Sequence, residues 1–240
     1  MNLRNTATVV TGGSRGLGAA LGAEFAARGA RVVLVAREAG PLEDTVGHIR
    51  GAGGEAHGLV EDVGDKSAVH RIAGAAAALV GRIELLVHNA STLGAVPLRL
   101  LLDTECEDLE RTLAVNLVGP FRLTRVLAGP MVLAGSGTIV NISSDAAVQA
   151  YPKWGAYGVS KAALDHLGRI WAAELEGTGV RVLTIDPGEM NTRMHADAVP
   201  DADPATLQDP LAVARRIVDR IEGGAYISGA RLEAPVGGAS

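Results

Sequence analysis

The chain has 240 residues, 48% of them hydrophobic and 20% charged, with a formal net charge of −5; this balance supports a buried core and excludes a disordered chain. The mild acidity and the lack of any basic run argue against a nucleic-acid partner, and no apolar stretch reaches the ~18 residues of a membrane span, so no membrane partner is expected. The 31 glycines, about 13% of the chain against a usual ~7%, follow no collagen-like period, so tight turns or close backbone approach are expected.

Residues 1–11 lack the apolar core of a signal peptide. They end in a predicted strand, Ala7–Thr11, which runs into Gly12-Gly13-Ser14-Arg15-Gly16-Leu17-Gly18 and a helix over Gly16–Arg28. Strand, glycine turn and helix form the context of a dinucleotide site. Gly12 permits the turn, Gly16 lets the backbone approach a pyrophosphate, and Gly18 lets helix pack on strand. The helix N-terminus then offers free N–H groups to the anion. The spacing is G-x-x-x-G-x-G. A second strand, Arg31–Ala36, ends without the carboxylate that would bond a ribose 2′-OH. Arg37 follows, and Arg15 lies in the turn; two guanidiniums suit a 2′-phosphate, which predicts NADP(H) over NAD(H). Glu38 complicates that corner.

A helix over Gly40–Ala52, a strand over Ala56–Glu61, a helix over Lys66–Val80 and a strand over Glu84–His88 continue the alternation. One long helix is predicted over Glu107–Val132. Cys106 stands beside it as a small helical residue; being the only cysteine it forms no internal disulfide, which predicts a reduced, cytoplasmic setting. Asn116 is a polar residue in an apolar stretch, either a satisfied buried amide or the holder of an active-site water. The fifth strand, Thr138–Ile142, stops at Ser143-Ser144, where hydroxyls replace apolar residues at the sheet's carboxyl end.

The next helix, Tyr151–Leu175, carries Tyr157 and Lys161 at i and i+4, on one face. Only Lys66, Lys153 and Lys161 are lysines in the whole chain. A tyrosine titrates near pH 10, so use near neutrality needs a depression of order 3 units, or roughly 4 kcal/mol, which a lysine ammonium and a cationic nicotinamide can supply. A sixth strand, Arg181–Ile185, leads to an irregular segment near 188–209, expected to lie over a ligand. A helix over Pro210–Ile221 and a strand over Tyr226–Leu232 complete the chain. The order β-α-β-α throughout predicts one α/β domain over residues 1–240, a doubly wound, Rossmann-like parallel sheet of about seven strands. The six histidines show no metal-ligand spacing, and no metal is expected.

Taken together, these motifs resemble the short-chain dehydrogenase/reductase family over essentially the whole chain, in its short single-domain branch. The resemblance is carried by Thr11-Gly12, Gly16, Gly18, Asp62-Val63, Asn89-Ala90, Asn116, Ser144, Tyr157, Lys161, Pro187-Gly188 and Thr192, in order and spacing. It implies a catalytic tetrad of Asn116, Ser144, Tyr157 and Lys161. It implies that Asp62 bonds the adenine, that Val63, Asn89 and Ala90 line the cofactor, and that Pro187, Gly188 and Thr192 contact its nicotinamide end. Two departures stand out. The usual Asn-Asn-Ala-Gly reads His88-Asn89-Ala90-Ser91, and the segment Ser228–Glu233 lacks the usual Asp-Gly-Gly ending.

The resemblance implies an NADPH-dependent carbonyl reductase with a small-molecule carbonyl or alcohol substrate. The alternatives are the reverse, alcohol-oxidising direction, 3-oxoacyl-thioester reduction, and a cofactor-binding sensor or scaffold without turnover. Ser91, Leu93, Val148, Tyr151, Trp154, Met190 and Met194 are candidate substrate contacts in a mainly apolar pocket. His195 reads as an exposed loop residue. The two long helices are expected to build a homodimer or homotetramer, as they commonly do in the resembling family.

Overall fold

The computed structural model describes residues 1–234. Seven parallel strands form one sheet in the order β3-β2-β1-β4-β5-β6-β7. They are β1 (Ala7–Thr11), β2 (Arg31–Ala36), β3 (Glu55–Val60), β4 (Leu85–His88), β5 (Gly137–Ile142), β6 (Val180–Asp186) and β7 (Arg231–Glu233). Eight helices connect them: α1 (Gly16–Ala27), α2 (Ala39–Gly51), α3 (Ala68–Val80), α4 (Cys106–Leu113), α5 (Gly119–Leu133), α6 (Gly155–Glu174), α7 (Arg193–Ala198) and α8 (Pro210–Gly223). The expected single Rossmann-like domain is what the chain forms. Gly237 and Gly238 lie outside the described residues.

Strand alternation divides the core in two. Val10, Val32, Leu34, Leu85 and Val87 face α1 and α8, against Leu21, Phe25, Val213 and Ile217. Their neighbours Val9, Val33, Val35 and Leu86 face α3 and α5, against Val69, Ile72, Leu123 and Met131. Apolar residues on both faces are what a doubly covered sheet requires. The strand order reverses between β1 and β4, which opens a crevice at the carboxyl ends of the strands.

Apart from shifts of one or two residues at element ends, four segments differ from the sequence expectation. The single helix expected over Glu107–Val132 is α4 and α5 joined by a π-helical turn, Ala114–Val118. There the Gly119 N–H donates to the Ala114 carbonyl, five residues back, and Pro120 has no N–H to offer Asn116. The helix expected from Tyr151 begins at Gly155, because Lys153 sits at φ +73°, outside helical space. The last strand is only Arg231–Glu233; Gly229 at φ +87° turns the chain just before it. The irregular 188–209 segment holds α7, capped by Thr192, whose hydroxyl accepts from His195 N–H at 3.2 Å.

His88, at the end of β4, is fully buried. Its Nε2 lies 2.8 Å from Thr124 Oγ1, and its Nδ1 has no partner among the described residues. Burial pushes its pKa down to about 3, so the folded chain keeps it neutral. The unfolded chain protonates it below about pH 6.5, so its contribution to stability is present above that pH and is lost as the pH falls. We predict a loss of about 2 kcal/mol from this group between pH 7.5 and pH 5. Thermal melts of the wild type and His88→Asn check it: the variant should show a flatter dependence, and equal slopes would refute the effect.

Candidate active site

A cavity of about 700 Å³ occupies the crevice, within the range of small-molecule sites. Every residue expected to hold the cofactor, from Gly12 to Thr192, lines it. The glycine turn is built for close approach. Gly12 sits at φ +69°, and a Cβ there would lie 2.8 Å from Ala90 Cα. A Cβ on Gly18 would run into the Gly12 carbonyl oxygen. Asn89 braces the turn from β4, donating to the carbonyls of Thr11 (3.0 Å) and Gly12 (3.2 Å). No side chain caps the N-terminus of α1, so its first amides remain available to an anion. These residues fit the pyrophosphate of a nicotinamide dinucleotide.

At the far end of the turn, Arg15 forks onto Glu38, with distances of 3.2 and 2.7 Å. Both side chains are exposed. The Arg15 fork holds the Glu38 carboxyl below the usual carboxylate range, and Arg193 and Arg37 add to the pull. Three guanidiniums therefore face one carboxylate. Arg193 was not foreseen: it comes from α7, whose fold was not legible. Thr192, just before it, packs toward Gly16, where a Cβ would lie 3.3 Å from Thr192 Cγ2. Asp62 accepts from Gly64 N–H at 2.8 Å in the cavity wall.

Elsewhere in the cavity, α6 presents Tyr157, Lys161 and Asp165 one turn apart on its buried face. The Lys161 ammonium is buried and donates to the Ile142 carbonyl at 2.8 Å. Burial pushes its pKa down to about 8, while Asp165 and Asp186 pull upward. Its Nζ is 5.6 Å from the centre of the Tyr157 ring. Burial raises Tyr157 to about 12; the Ser144 and Ser91 hydroxyls oppose this, and Asp145 and Asp186 reinforce it. Desolvation of the phenolate outweighs the nearby hydroxyls. Ser144 Oγ now donates to Asp145 Oδ1 at 2.9 Å, and Tyr151 donates to Asp145 Oδ2 at 2.8 Å. Ser91 Oγ is buried in the cavity wall with no hydrogen bond among the described residues.

Asn116 stands behind the cavity wall. Its Nδ2 donates to Thr92 O (2.8 Å) and Ser160 Oγ (2.9 Å), and its Oδ1 accepts from Thr92 N–H (2.8 Å). The side chain is thus the satisfied buried amide, clamping the Ser91–Thr92 segment to α6. Pro120 has no N–H to offer the Asn116 backbone carbonyl four residues back.

Of the candidate substrate contacts, Ser91, Leu93, Tyr151, Trp154, Met190 and Met194 line the cavity. Val148 does not: it follows the short 3₁₀ turn Asp145–Ala147 and is 65% exposed. Tyr151, Trp154 and Tyr157 stack edge to face, with centroids 6.5 and 5.7 Å apart. His195 is not the exposed loop residue expected; its side chain is 13% exposed and forms part of the wall, 3.7 Å from Glu189.

A second layer was not foreseen. The Ser143 hydroxyl donates to Asp165 Oδ1. Arg231 reaches Asp165 at 2.9 Å, Asp186 at 2.9 Å and the Ser144 carbonyl at 3.0 Å. The i+4 position of Asp165 after Lys161 was a readable signal; no sequence spacing points from residue 231 to residue 144.

The fold agrees with known proteins. The chain is 37% identical over 186 residues to D-threitol dehydrogenase of Mycolicibacterium smegmatis, covering 78% of this chain and 70% of that protein. A 7α-hydroxysteroid dehydrogenase solved with NADH and 7-oxo glycochenodeoxycholic acid superposes with a TM-score of 0.87 at 27% identity, covering 97% of this chain and 94% of that one. A metagenomic short-chain oxidoreductase solved with NADP superposes with a TM-score of 0.82 at 30% identity, covering 98% and 100%. A family profile described as short chain dehydrogenase matches residues 6–203. The chain therefore belongs to the short-chain dehydrogenase family of oxidoreductases, which act on alcohols and carbonyls with a nicotinamide cofactor.

Proposed function

We propose that the protein is an NADPH-dependent carbonyl reductase. The observation that carries this reading is the meeting of the Tyr157 phenol, the Ser144 hydroxyl and the Lys161 ammonium in the cavity that begins at the glycine turn. When bound, NADPH supplies the hydride that adds to the carbonyl carbon. Tyr157 donates its proton to the oxygen that becomes the alkoxide. Ser144 turns its hydroxyl from Asp145 to the same oxygen and stabilises the developing charge. Lys161 keeps a positive charge beside the phenol and favours its ionised form. Asn116 holds a solvent molecule that returns a proton towards Lys161. By microscopic reversibility the same residues oxidise an alcohol. The segment over 188–209 covers the substrate end, where Trp154, Met190 and Met194 make an apolar wall.

NADP(H) preference rests on Arg15, Arg37 and Arg193 around Glu38, which offer charge-assisted bonds to a 2′-phosphate. Oligomerisation rests on apolar side chains left exposed on α5 and α6: Phe121, Leu133, Val159 and Ile170.

Tyr157→Phe should abolish NADPH oxidation with any accepted ketone or aldehyde while leaving NADPH binding within about threefold; turnover near the wild-type rate would refute the assignment. Arg37→Asp should weaken NADPH by about tenfold or more and spare NADH, whereas Glu38→Gln frees Arg15 and should tighten NADPH. Fluorescence titration with both cofactors reads these changes, and an unaltered NADPH/NADH ratio in both variants would remove the 2′-phosphate site. Light scattering should show at least a dimer, and a monomer at all concentrations would exclude the α5–α6 interface.

A further inference from the structure

We propose that Arg231 is a positioning residue for the catalytic pair: it ties the Ser144 backbone to the helix of Tyr157 and Lys161, and it neutralises the two carboxylates beside Lys161. The inference rests on the reading above that Tyr157 and Lys161 carry the reaction.

The geometry joins three elements. Arg231 lies on β7, in register with Thr184 of β6. Its Nε donates to Asp165 on α6, and its Nη2 donates both to Asp186 at the end of β6 and to the Ser144 carbonyl beyond β5. The second oxygen of Asp165 accepts from Ser143, and that of Asp186 accepts from Gly188 N–H at 3.0 Å. Every carboxylate oxygen in the cluster therefore has a partner, as buried anions require. One guanidinium fixes both the turn that presents the Ser144 hydroxyl and the turn that carries Pro187 and Gly188.

The charges balance in the same place. Asp165 and Asp186 are 6% and 8% exposed, so solvent screens them little. Two cations face them, Lys161 and Arg231. The other charged group facing Tyr157 is Asp145, which is exposed and bonded to Tyr151. Glu189 and His195 lie further along the cavity wall. Loss of the Arg231 charge takes the cluster of Lys161, Arg231, Asp165 and Asp186 from neutral to one net negative charge. That charge holds the proton on Lys161 and opposes phenolate at Tyr157, so both acid forms persist to higher pH. Loss of the Asp165 charge has the opposite sign.

The test uses two readouts: the pH profile of kcat/KM for carbonyl reduction with NADPH, and the Tyr157 phenolate titration near 295 nm of the NADP⁺-loaded enzyme, taken as the difference from the same protein carrying Tyr157→Phe. Arg231→Gln should move both midpoints up by about half a unit or more. Arg231→Lys keeps the charge and loses the fork, so it should hold the wild-type midpoint while lowering kcat. Asp165→Asn should move the midpoint down. A folded Arg231→Gln that binds NADP⁺ with an unmoved midpoint would overturn the proposal. Should that variant fail to fold, an Asp165→Asn midpoint that stays or rises would overturn it equally. A wild type inactive on every carbonyl tested would sink the reductase reading instead, and the phenolate titration would still decide the role of Arg231.

Discussion

The half of the molecule that carries Tyr157 and Lys161 is organised around a buried ammonium. Lys161 is 2% exposed, and desolvating an ammonium is costly unless protein groups replace its water. The replacements come from three directions: the Ile142 carbonyl at the end of β5, Asp165 one turn along α6, and Asp186 at the end of β6. Those carboxylates require a counter-cation of their own, and β7 delivers Arg231 to them. Hydroxyls at Ser143 and Ser160 complete the inner hydrogen bonds, the latter linking to Asn116. A single polar demand thus reaches five elements of the fold, and the phenol of Tyr157 sits at its open side.

The cofactor half obeys a different constraint, steric before it is electrostatic. Its glycines stand where side chains would meet backbone: Gly12 against Ala90, Gly18 against Gly12, and Gly119 against the Val63 carbonyl at 2.6 Å. This accounts for part of the glycine excess. Other glycines, such as Gly40, Gly47 and Gly74, meet nothing and have no such reason.

The strands and the glycine turn were legible because their signals are local. Apolar runs of strand length, a turn followed by a helix, and a tyrosine four residues before a lysine all lie within one short window. What escaped depends on contacts between distant segments. Nothing near Asn116 announces a π turn except Pro120, whose missing N–H acts only once a helix exists. The depth of burial at Tyr157 escaped for a related reason: i+4 spacing brings Lys161 close, but burial is a property of the packed molecule. Arg15 and Arg37 were readable at one corner of the site, whereas Arg193 arrives there only through the folding of a segment that looked irregular. Val148 was expected in the wall because it lies in the loop before Tyr157, yet it follows the 3₁₀ turn and is exposed.

The strand order also bears on how the molecule is made. β1 comes first and ends in the middle; β2 and β3 add to one side of it, then β4, β5, β6 and β7 to the other. No strand has to be inserted between two that precede it in the chain. Each can find its neighbour already in place as it leaves the ribosome, which limits the time that unpaired edges stand exposed. The cofactor-binding side, residues 12 to 90, can be laid down before the strand and helix bearing Ser144 and Tyr157 are synthesised. The cation on β7 comes last, so two buried acidic groups wait for their counter-charge until the final strand docks.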